Sequence, residues 1–336
     1  MQTATEPAVP ETAAATPIIK AVALTRHFHL GGPLARKTLH AVDDFDLTIG
    51  ANEIVALVGE SGSGKSTVAR LLARVYKPTR GQILYHGRDV SRLRSRRERL
   101  DYAARVPMVF QDPYGSLSPV YRVSHGVMRA LKLHRPDLNG AAREQEAARI
   151  LKSVGLTPPQ DFLSKYPYEL SGGQRQRIGF AQALACRPEL ILADEPVSML
   201  DVSVRIGVLN LMAGLREKEG LSFLYITHDI ASARYVADRL IVMYAGRIAE
   251  SGPAEDVLAN PKHPYTQLLL SAVPDPRAPI SLPATSEVAE PPRVINPTEG
   301  CRFRQRCPYA IERCSVETPR LRALRPAHEA ACHVAK

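Results

Sequence analysis

The sequence predicts an α/β fold organised around a phosphate-binding loop, and three observations carry that prediction. Residues 53–58 (EIVALV) are an apolar run of strand length, residues 66–75 (STVARLLARV) carry apolar side chains at helical spacing, and a Gly/Ser-rich segment joins the two. Residues 190–193 (LILA) form another apolar strand, which runs into the carboxylate pair Asp194-Glu195. A further strand, 222–227, ends at His228. Strand, Gly-rich loop and helix in that order are a nucleotide-binding layout.

The other elements follow from local pattern. Strands are expected at 18–24 and 39–49, joined by a turn at 31–33, and again at 82–85, 106–110 and 223–226, with a closing hairpin around Ala245-Gly246. From about 121 to 168 no strand pattern occurs, whereas 141–154 places Ala147, Ile150, Leu151 and Val154 on one helical face. This segment reads as a helical insertion. Residues 274–299 are rich in Pro, Ala and Ser and read as a linker, and residues 1–17 read as a disordered tail.

With 336 residues, 45% of them apolar, the chain can bury a full core and still build a small appendage. Its apolar runs are strand-sized, far short of the roughly 18–20 residues of a membrane span, and its start has neither the basic nor the apolar region of a secretory signal. A cytosolic protein is expected. The net charge of +10 permits polyphosphate, nucleic-acid or anionic-membrane partners without choosing among them. The basic run 92–99 (RLRSRRER) reads as a solvated helix face, and Cys186, in an Ala-rich helix, as a core thiol.

The chemistry concentrates in a few positions. Gly59-Glu-Ser-Gly-Ser-Gly64-Lys65-Ser66 fits G-x-x-x-x-G-K-[ST], in which small residues (Gly59, Ser61, Gly62, Ser63, Gly64) let backbone N–H groups approach phosphate oxygens at a helix N-terminus. Lys65 would neutralise the β- and γ-phosphates and Ser66, followed by Thr67, would ligate Mg²⁺. Asp194 at a strand end is suited to Mg²⁺, Glu195 to polarising an attacking water, and His228 to reaching the γ-phosphate from the neighbouring strand.

At Leu170-Ser171-Gly172-Gly173-Gln174 the sequence resembles the ABC ATPase family, whose LSGGQ element opens a helix. The resemblance spans residues 18–273 and implies a RecA-like core, an antiparallel β subdomain and a helical subdomain at about 121–170. It implies that Ser171, Gly172, Gly173 and Gln174 contact ATP held by an opposing subunit, so that two motors sandwich two nucleotides. It further implies that Gln111 senses the γ-phosphate and Mg²⁺ and touches membrane subunits, that Asp201 lies in a loop exchanged across the dimer, and that Phe28 stacks on adenine. Met199 departs from the family, which more often has Ala there.

The C-terminal quarter narrows the resemblance. HPYTQLLLSAV at 263–273, followed by Cys301-Arg-Phe-Arg-Gln-Arg-Cys307-Pro, is similar to the oligopeptide and dipeptide permease ATPases of prokaryotic importers. Cys301, Cys307, Cys314 and Cys332 fall at C-x5-C-x6-C-x17-C in a Cys-rich region at 300–336, expected as a small domain. Four thiolates suit a 4Fe-4S cluster or tetrahedral Zn²⁺, with unligated or disulfide-linked thiols as the remaining option. The resemblance implies two transmembrane permease subunits, a second and paralogous ATPase chain, an extracytoplasmic binding protein, and a peripheral position on the cytoplasmic face of the membrane. Peptide is the implied cargo, with oligosaccharide or nickel as alternatives. A nucleic-acid-linked ATPase is disfavoured, because one cassette is present and only a compact helical segment separates Gln111 from Leu170.

Overall fold

The computed structural model describes residues 16–31, 37–112, 115, 117–272 and 294–336; most of the expected tail, turn and linker lies outside them. Its first sheet has the order β2-β1-β4-β5, built from β1 (Ile19–Leu30), β2 (Lys37–Ile49), β4 (Arg80–Tyr85) and β5 (Arg88–Asp89), all antiparallel. Along β2, Phe45, Leu47 and Ile49 are buried while Asp44, Asp46 and Thr48 face out, the period-two alternation of a half-buried strand. β1 runs six residues past the expected strand at 18–24 and carries three register shifts against β2, with Ala23 at φ 47°. Each shift changes which face the following side chains take.

The second sheet has the order β11-β12-β10-β9-β3-β8-β7-β6. Its parallel centre comprises β3 (Ile54–Val58), β6 (Met108–Val109), β7 (Leu190–Asp194), β8 (Ser222–Thr227) and β9 (Arg239–Tyr244). Every residue of β3, β7 and β8 is buried, which is why these strands read as unbroken apolar runs. β6 is shorter than the expected strand at 106–110, because the Val106 N–H is spent on Tyr102 O at a helix end and Pro107 has no N–H to give.

Helices flank the sheets. α1 (Lys65–Leu72) ends before the expected 75, where Arg74 turns left-handed at φ 61°. α2 (Arg96–Arg105) starts with a Ser95/Glu98 capping box and leaves Arg96, Arg97 and Arg99 exposed, a solvated basic face. The insertion folds as α3 (Val123–His134), α4 (Gly140–Ser153) and α5 (Pro159–Ser164), against which α6 (Gly172–Leu184) packs. Val127, Leu131, Ala147, Ile150, Leu151, Val154 and Ile178 are fully buried among them. α7 (Val202–Glu219), α8 (Ile230–Val236), α9 (Ala254–Ala259), α10 (Pro264–Ser271) and α11 (Arg313–Val316) complete the described helices. None of them is long and apolar enough to cross a membrane. Cys186 lies just past α6, where burial pushes its thiol up to about 11, in keeping with an inert core thiol.

Residues 300–336 do not stand apart from the cassette. β12 (His328–Ala330) pairs with β10 (Arg247–Pro253) through Glu250↔Ala330, and β11 (Arg322–Arg325) extends the sheet by one more strand. The buried hydrogen bond between His328 Nε2 and Glu250 Oε1 at 2.7 Å fastens this seam. Upstream, Ile295 bridges to Leu39 of β2, and His40 N–H donates to Val294 O at 2.9 Å. The physical reason is size: the segment's own buried cluster is only Ala330, Cys332 and Ala335, too little to offset chain entropy. Phe303 instead sits in the main core at 2% exposure, contributing about 1.5–3 kcal/mol there.

Candidate nucleotide site

The parallel ladder fixes the site. β3 pairs with β8 at Val58↔Thr227, β8 with β7 at Ile226↔Asp194, and β7 with β6 at Ala193↔Val109. Whatever follows these strand ends leaves the sheet at one edge: residues 59–66 from β3, Glu195 from β7, His228 from β8 and Gln111 from β6. The crevice outside the carboxyl ends of parallel strands is where open α/β sheets bind ligands.

Two glycines set the path of the loop. A Cβ at Gly59 would meet Met243 O at 2.2 Å, and one at Gly64, which has φ +107°, would meet Ala41 O at 2.2 Å. Lys65, 4% exposed at the start of α1, donates from Nζ to Gly59 O at 2.7 Å and Glu60 O at 2.9 Å. Burial lowers its pKa, and the carboxylates of Glu195, Asp194 and Glu60 oppose that shift. Ser63 Oγ is buried without a hydrogen-bond partner among the described residues, a donor that a phosphate oxygen would satisfy. Ser61 and Gly62 form the exposed bend of the loop, and Thr67 is half-buried in the first turn of α1.

Beside the loop, Ser66 Oγ donates to Asp194 Oδ1 at 2.8 Å. Asp194 is 3% exposed, and burial pushes its carboxyl up, reinforced by Glu195 and opposed by the Ser66 hydrogen bond, Arg70 and Lys65. A buried carboxylate next to a hydroxyl is an all-oxygen donor set of the kind Mg²⁺ takes. Glu195 stands at φ 47°, a left-handed conformation costing of order 1–3 kcal/mol for a residue with a side chain. Its N–H donates to Ile226 O at 2.9 Å, its Oε2 accepts from Gln111 Nε2 at 3.0 Å, and His228 Nδ1 lies 3.3 Å from the same oxygen. Gln111, Glu195 and His228, 117 residues apart from first to last, thus form one group. Asp229 caps α8 through the N–H groups of Ala231 and Ser232 and fixes the turn that carries His228.

The second glycine element lies elsewhere. Ser171 caps α6, its Oγ accepting from Gln174 N–H at 3.2 Å while Gln174 Oε1 accepts from Ser171 N–H at 3.0 Å. A Cβ at Gly173 would meet Val204 Cγ1 at 2.3 Å, so the start of α7 presses on this helix end, and Gly172 faces Leu200. Ser171 and Asp201 are exposed. Among the described residues, no hydrogen bond of 171–174 reaches 59–67. Phe28 is half-buried; its ring meets Tyr76 edge to face at 5.4 Å, with the Arg26 guanidinium 4.5 Å over it. Its described ring contacts are thus with Tyr76, just past the end of α1, and with Arg26 of its own strand.

The four C-terminal cysteines converge. Cys314 and Cys332 are buried, Cys301 and Cys307 half-buried, and Cys301 N–H donates to Cys314 O at 2.8 Å. Burial raises the Cys301 thiol, as does repulsion from Cys314, Cys332 and Cys307; Cys307 is raised likewise by burial and by Cys332 and Cys314. Among the described residues, the one group of three metal-type donors within 4.8 Å of one another is His27, His40 and Asp43, so no three of the thiols are that close. Tetrahedral Zn²⁺ would hold its sulfurs about 3.8 Å apart. In the His27-His40-Asp43 group Arg302 already supplies a cation. Burial pushes the Asp43 carboxyl up, but hydrogen bonds from His27, Arg302 and His40 hold it well below the usual range.

Sequence reasoning missed Tyr265, and it reads Arg302 and Arg306 only as counter-charges to the cysteines, not as partners of Asp43 and Glu60. Arg306 meets Glu60 of the loop in two hydrogen bonds of 2.8 Å, Tyr265 Oη accepts from Glu60 N–H at 2.8 Å, and Arg302 donates to Ala245 O and Asp43. The only signal in the sequence was the interleaving of arginines with the cysteines.

A parallel sheet delivering a Gly-rich loop, a buried carboxylate and a left-handed glutamate to one edge, with a second glycine-opened helix packed against an inserted bundle, has the layout of a P-loop ATPase of the cassette type. The family pattern described as ABC transporter matches residues 42–198, and that described as oligopeptide/dipeptide transporter, C-terminal region, matches 249–314. The oligopeptide transport ATP-binding protein AppF of Bacillus subtilis is 43% identical over 88% of this chain and 89% of its own. A Brucella ovis chain, provisionally named a peptide import ATP-binding protein, is 43% identical over 94% of this chain and 98% of its own. Among solved structures, a dimeric ATP-binding cassette in a post-hydrolysis state with ADP and Pi superposes with TM-score 0.63 at 29% identity, covering 70% of this chain and 98% of that one. The chain belongs to the family of ABC transporter ATP-binding subunits, in the branch that carries the oligopeptide/dipeptide C-terminal region.

Proposed function

We propose that this chain is the ATP-hydrolysing motor of a prokaryotic peptide importer, bound at the cytoplasmic face of the membrane to two permease subunits served by an extracytoplasmic binding protein. The observation that carries this reading is the pairing of the site at the sheet edge with a C-terminal region of the oligopeptide/dipeptide type. In the proposed roles the N–H groups of the 59–66 loop and Lys65 hold the phosphates, and Glu195 polarises the attacking water. Gln111 and His228 orient Glu195 and approach the γ-phosphate. Mg²⁺ would be held by Ser66 and Asp194 with Gln111 nearby, where it offsets phosphate charge. Phe28 is assigned the adenine contact. ATP-driven uptake of a labelled oligopeptide into vesicles holding this chain, its partner motor and the permease tests the function. Uptake is expected; ATP hydrolysis without peptide uptake would assign the motor to oligosaccharide, nickel or another cargo.

Two surfaces support the partners. Beside Ser171 and Asp201 lies an exposed apolar ridge, Met199 at 59%, Val202 at 71% and Ile206 at 47% exposure, which a second motor would cover. That second motor is a related but distinct chain or a copy of this one, and its nucleotide would meet Ser171, Gly172, Gly173 and Gln174. Next to Gln111, Phe110 is exposed, and a cleft of about 430 Å³ lined by Leu117, Tyr121, His125 and Leu133 offers the permease a docking groove.

The proposal extends to Cys301, Cys307, Cys314 and Cys332 as ligands of one 4Fe-4S cluster with a structural role. Four converging thiols suit it; of the arginines interleaved with them, Arg302, Arg306 and Arg313 pair instead with Asp43, Glu60 and Glu317, and Arg304 reaches Cys301 O at 3.4 Å. When bound, such a cluster cross-links a segment whose own apolar cluster is too small to hold it. Anaerobically purified protein is expected to be brown, with about four iron and four sulfide per chain. One zinc per colourless chain, or metal-free protein with an intact tail, would contradict the cluster.

A further inference from the structure

We propose that the C-terminal thiol segment completes the nucleotide site, with Arg306 as a positioning residue that holds the 59–66 loop in its phosphate-binding shape through Glu60. The inference rests on reading that loop as the ATP-binding loop. It needs no particular metal at the thiols.

Every polar group of Glu60 is engaged. Its carboxylate takes the bidentate fork of Arg306 at 2.8 Å on each oxygen, its N–H donates to Tyr265 Oη at 2.8 Å, and its carbonyl accepts from Lys65 Nζ at 2.9 Å and Ser63 N–H at 3.2 Å. Glu60 therefore links the C-terminal segment directly to the lysine and to the loop backbone. The clamp is packed among aromatic rings. Tyr265 is fully buried, with ring centroids 4.5 Å from Tyr244 and 5.5 Å from Phe303, and the Arg306 guanidinium lies 5.8 Å from the Tyr244 and Phe303 rings. Phe303 and Arg306 both lie between Cys301 and Cys307.

A second arm reaches the other side of the loop. Arg302, next to Cys301, donates to Ala245 O and to Asp43; Asp43 N–H donates to Gly246 O at 2.8 Å, and Gly246 N–H donates to Ser63 O at 2.9 Å. The segment thus ends on the loop at two points, Glu60 and Ser63, on either side of Ser61 and Gly62. A loop with glycines at 59, 62 and 64 loses much conformational freedom when it is ordered, and a clamp that orders it before ATP arrives removes that cost from binding. Because the loop grips the β- and γ-phosphates alike before and during reaction, loosening it should raise KM for ATP and spare kcat. A tie that merely fastened the tail to the cassette would move neither.

The test uses the full chain and Mg-ATP, measuring affinity by equilibrium titration together with KM and kcat. Arg306→Gln and Glu60→Gln are each expected to weaken ATP binding about tenfold through KM. The double variant should be no worse than either single one, since both remove the same contact. Arg306→Lys, which keeps the charge but not the fork, should fall between. Unchanged KM, or losses that multiply in the double variant, would overturn the proposal. If Arg306→Gln does not fold, Glu60→Gln leaves the tail intact, and an unchanged KM there is decisive against it. Lys65→Ala runs alongside: if it too keeps parental affinity, the loop reading itself falls and this inference with it, whereas its loss beside normal Arg306 and Glu60 variants refutes the clamp alone.

Discussion

Glu195→Gln is expected to bind ATP within about twofold of the parent and to turn over about 10²–10⁴-fold more slowly, the range for removing a positioned general base. The substitution keeps the size of the side chain and one hydrogen-bonding oxygen, so the contacts to Gln111 and His228 can persist while the basic oxygen is gone. The backbone argument points the same way. Glu195 is held at a left-handed φ by its N–H bond to Ile226 O, and such strain persists where the surroundings over-determine it, aiming this carboxylate at the crevice. Rapid-quench kinetics with a separate binding titration separates the two effects. Near-parental hydrolysis would remove Glu195 from its assigned role.

Lys65→Ala and Ser171→Arg are each expected to abolish hydrolysis, by different routes. Lys65 is a buried ammonium whose described partners are two loop carbonyls, and deleting it removes the cation from the phosphate cradle. Hydrogen bonds to charged groups contribute about 1.5–3 kcal/mol, so ATP affinity should fall about ten- to hundredfold. Ser171→Arg leaves that cradle whole, and isolated chains should bind ATP as the parent does. It removes the cap of α6, at about 1 kcal/mol, and sets a long cation where a facing γ-phosphate would come close. Its loss should therefore appear only in turnover.

What could be read from the sequence was local. The 59–66 loop, the 190–195 strand with its carboxylates and the amphipathic helix α4 each announce themselves within about 15 residues, through spacing and turn chemistry. The resemblance carried by the LSGGQ element joins the loop and the carboxylate strand into one expected site. What could not be read was long-range. Arg306 and Glu60 are 246 positions apart, and no pattern within either segment reports the other. The addition of β12 to β10 was equally hidden, because His328–Ala330 is three residues long and its partner strand is distant in sequence. The environment of Phe28 depended on bulges: three register shifts in β1 decide which way each ring points, and simple alternation does not register them.

The central claim is that ATP is hydrolysed at a site shared by two motors, with the 59–66 loop from one and Ser171–Gln174 from the other. Its most direct test is the ATPase rate of Lys65→Ala chains mixed with Ser171→Arg chains, each inactive alone. If Ser171 acts in trans, every mixed dimer of this chain carries one intact composite site, and hydrolysis should return on mixing and peak near equal proportions. If the mixture stays inactive at all proportions although the chains are shown to associate, Ser171 acts within its own chain and the shared-site account is contradicted.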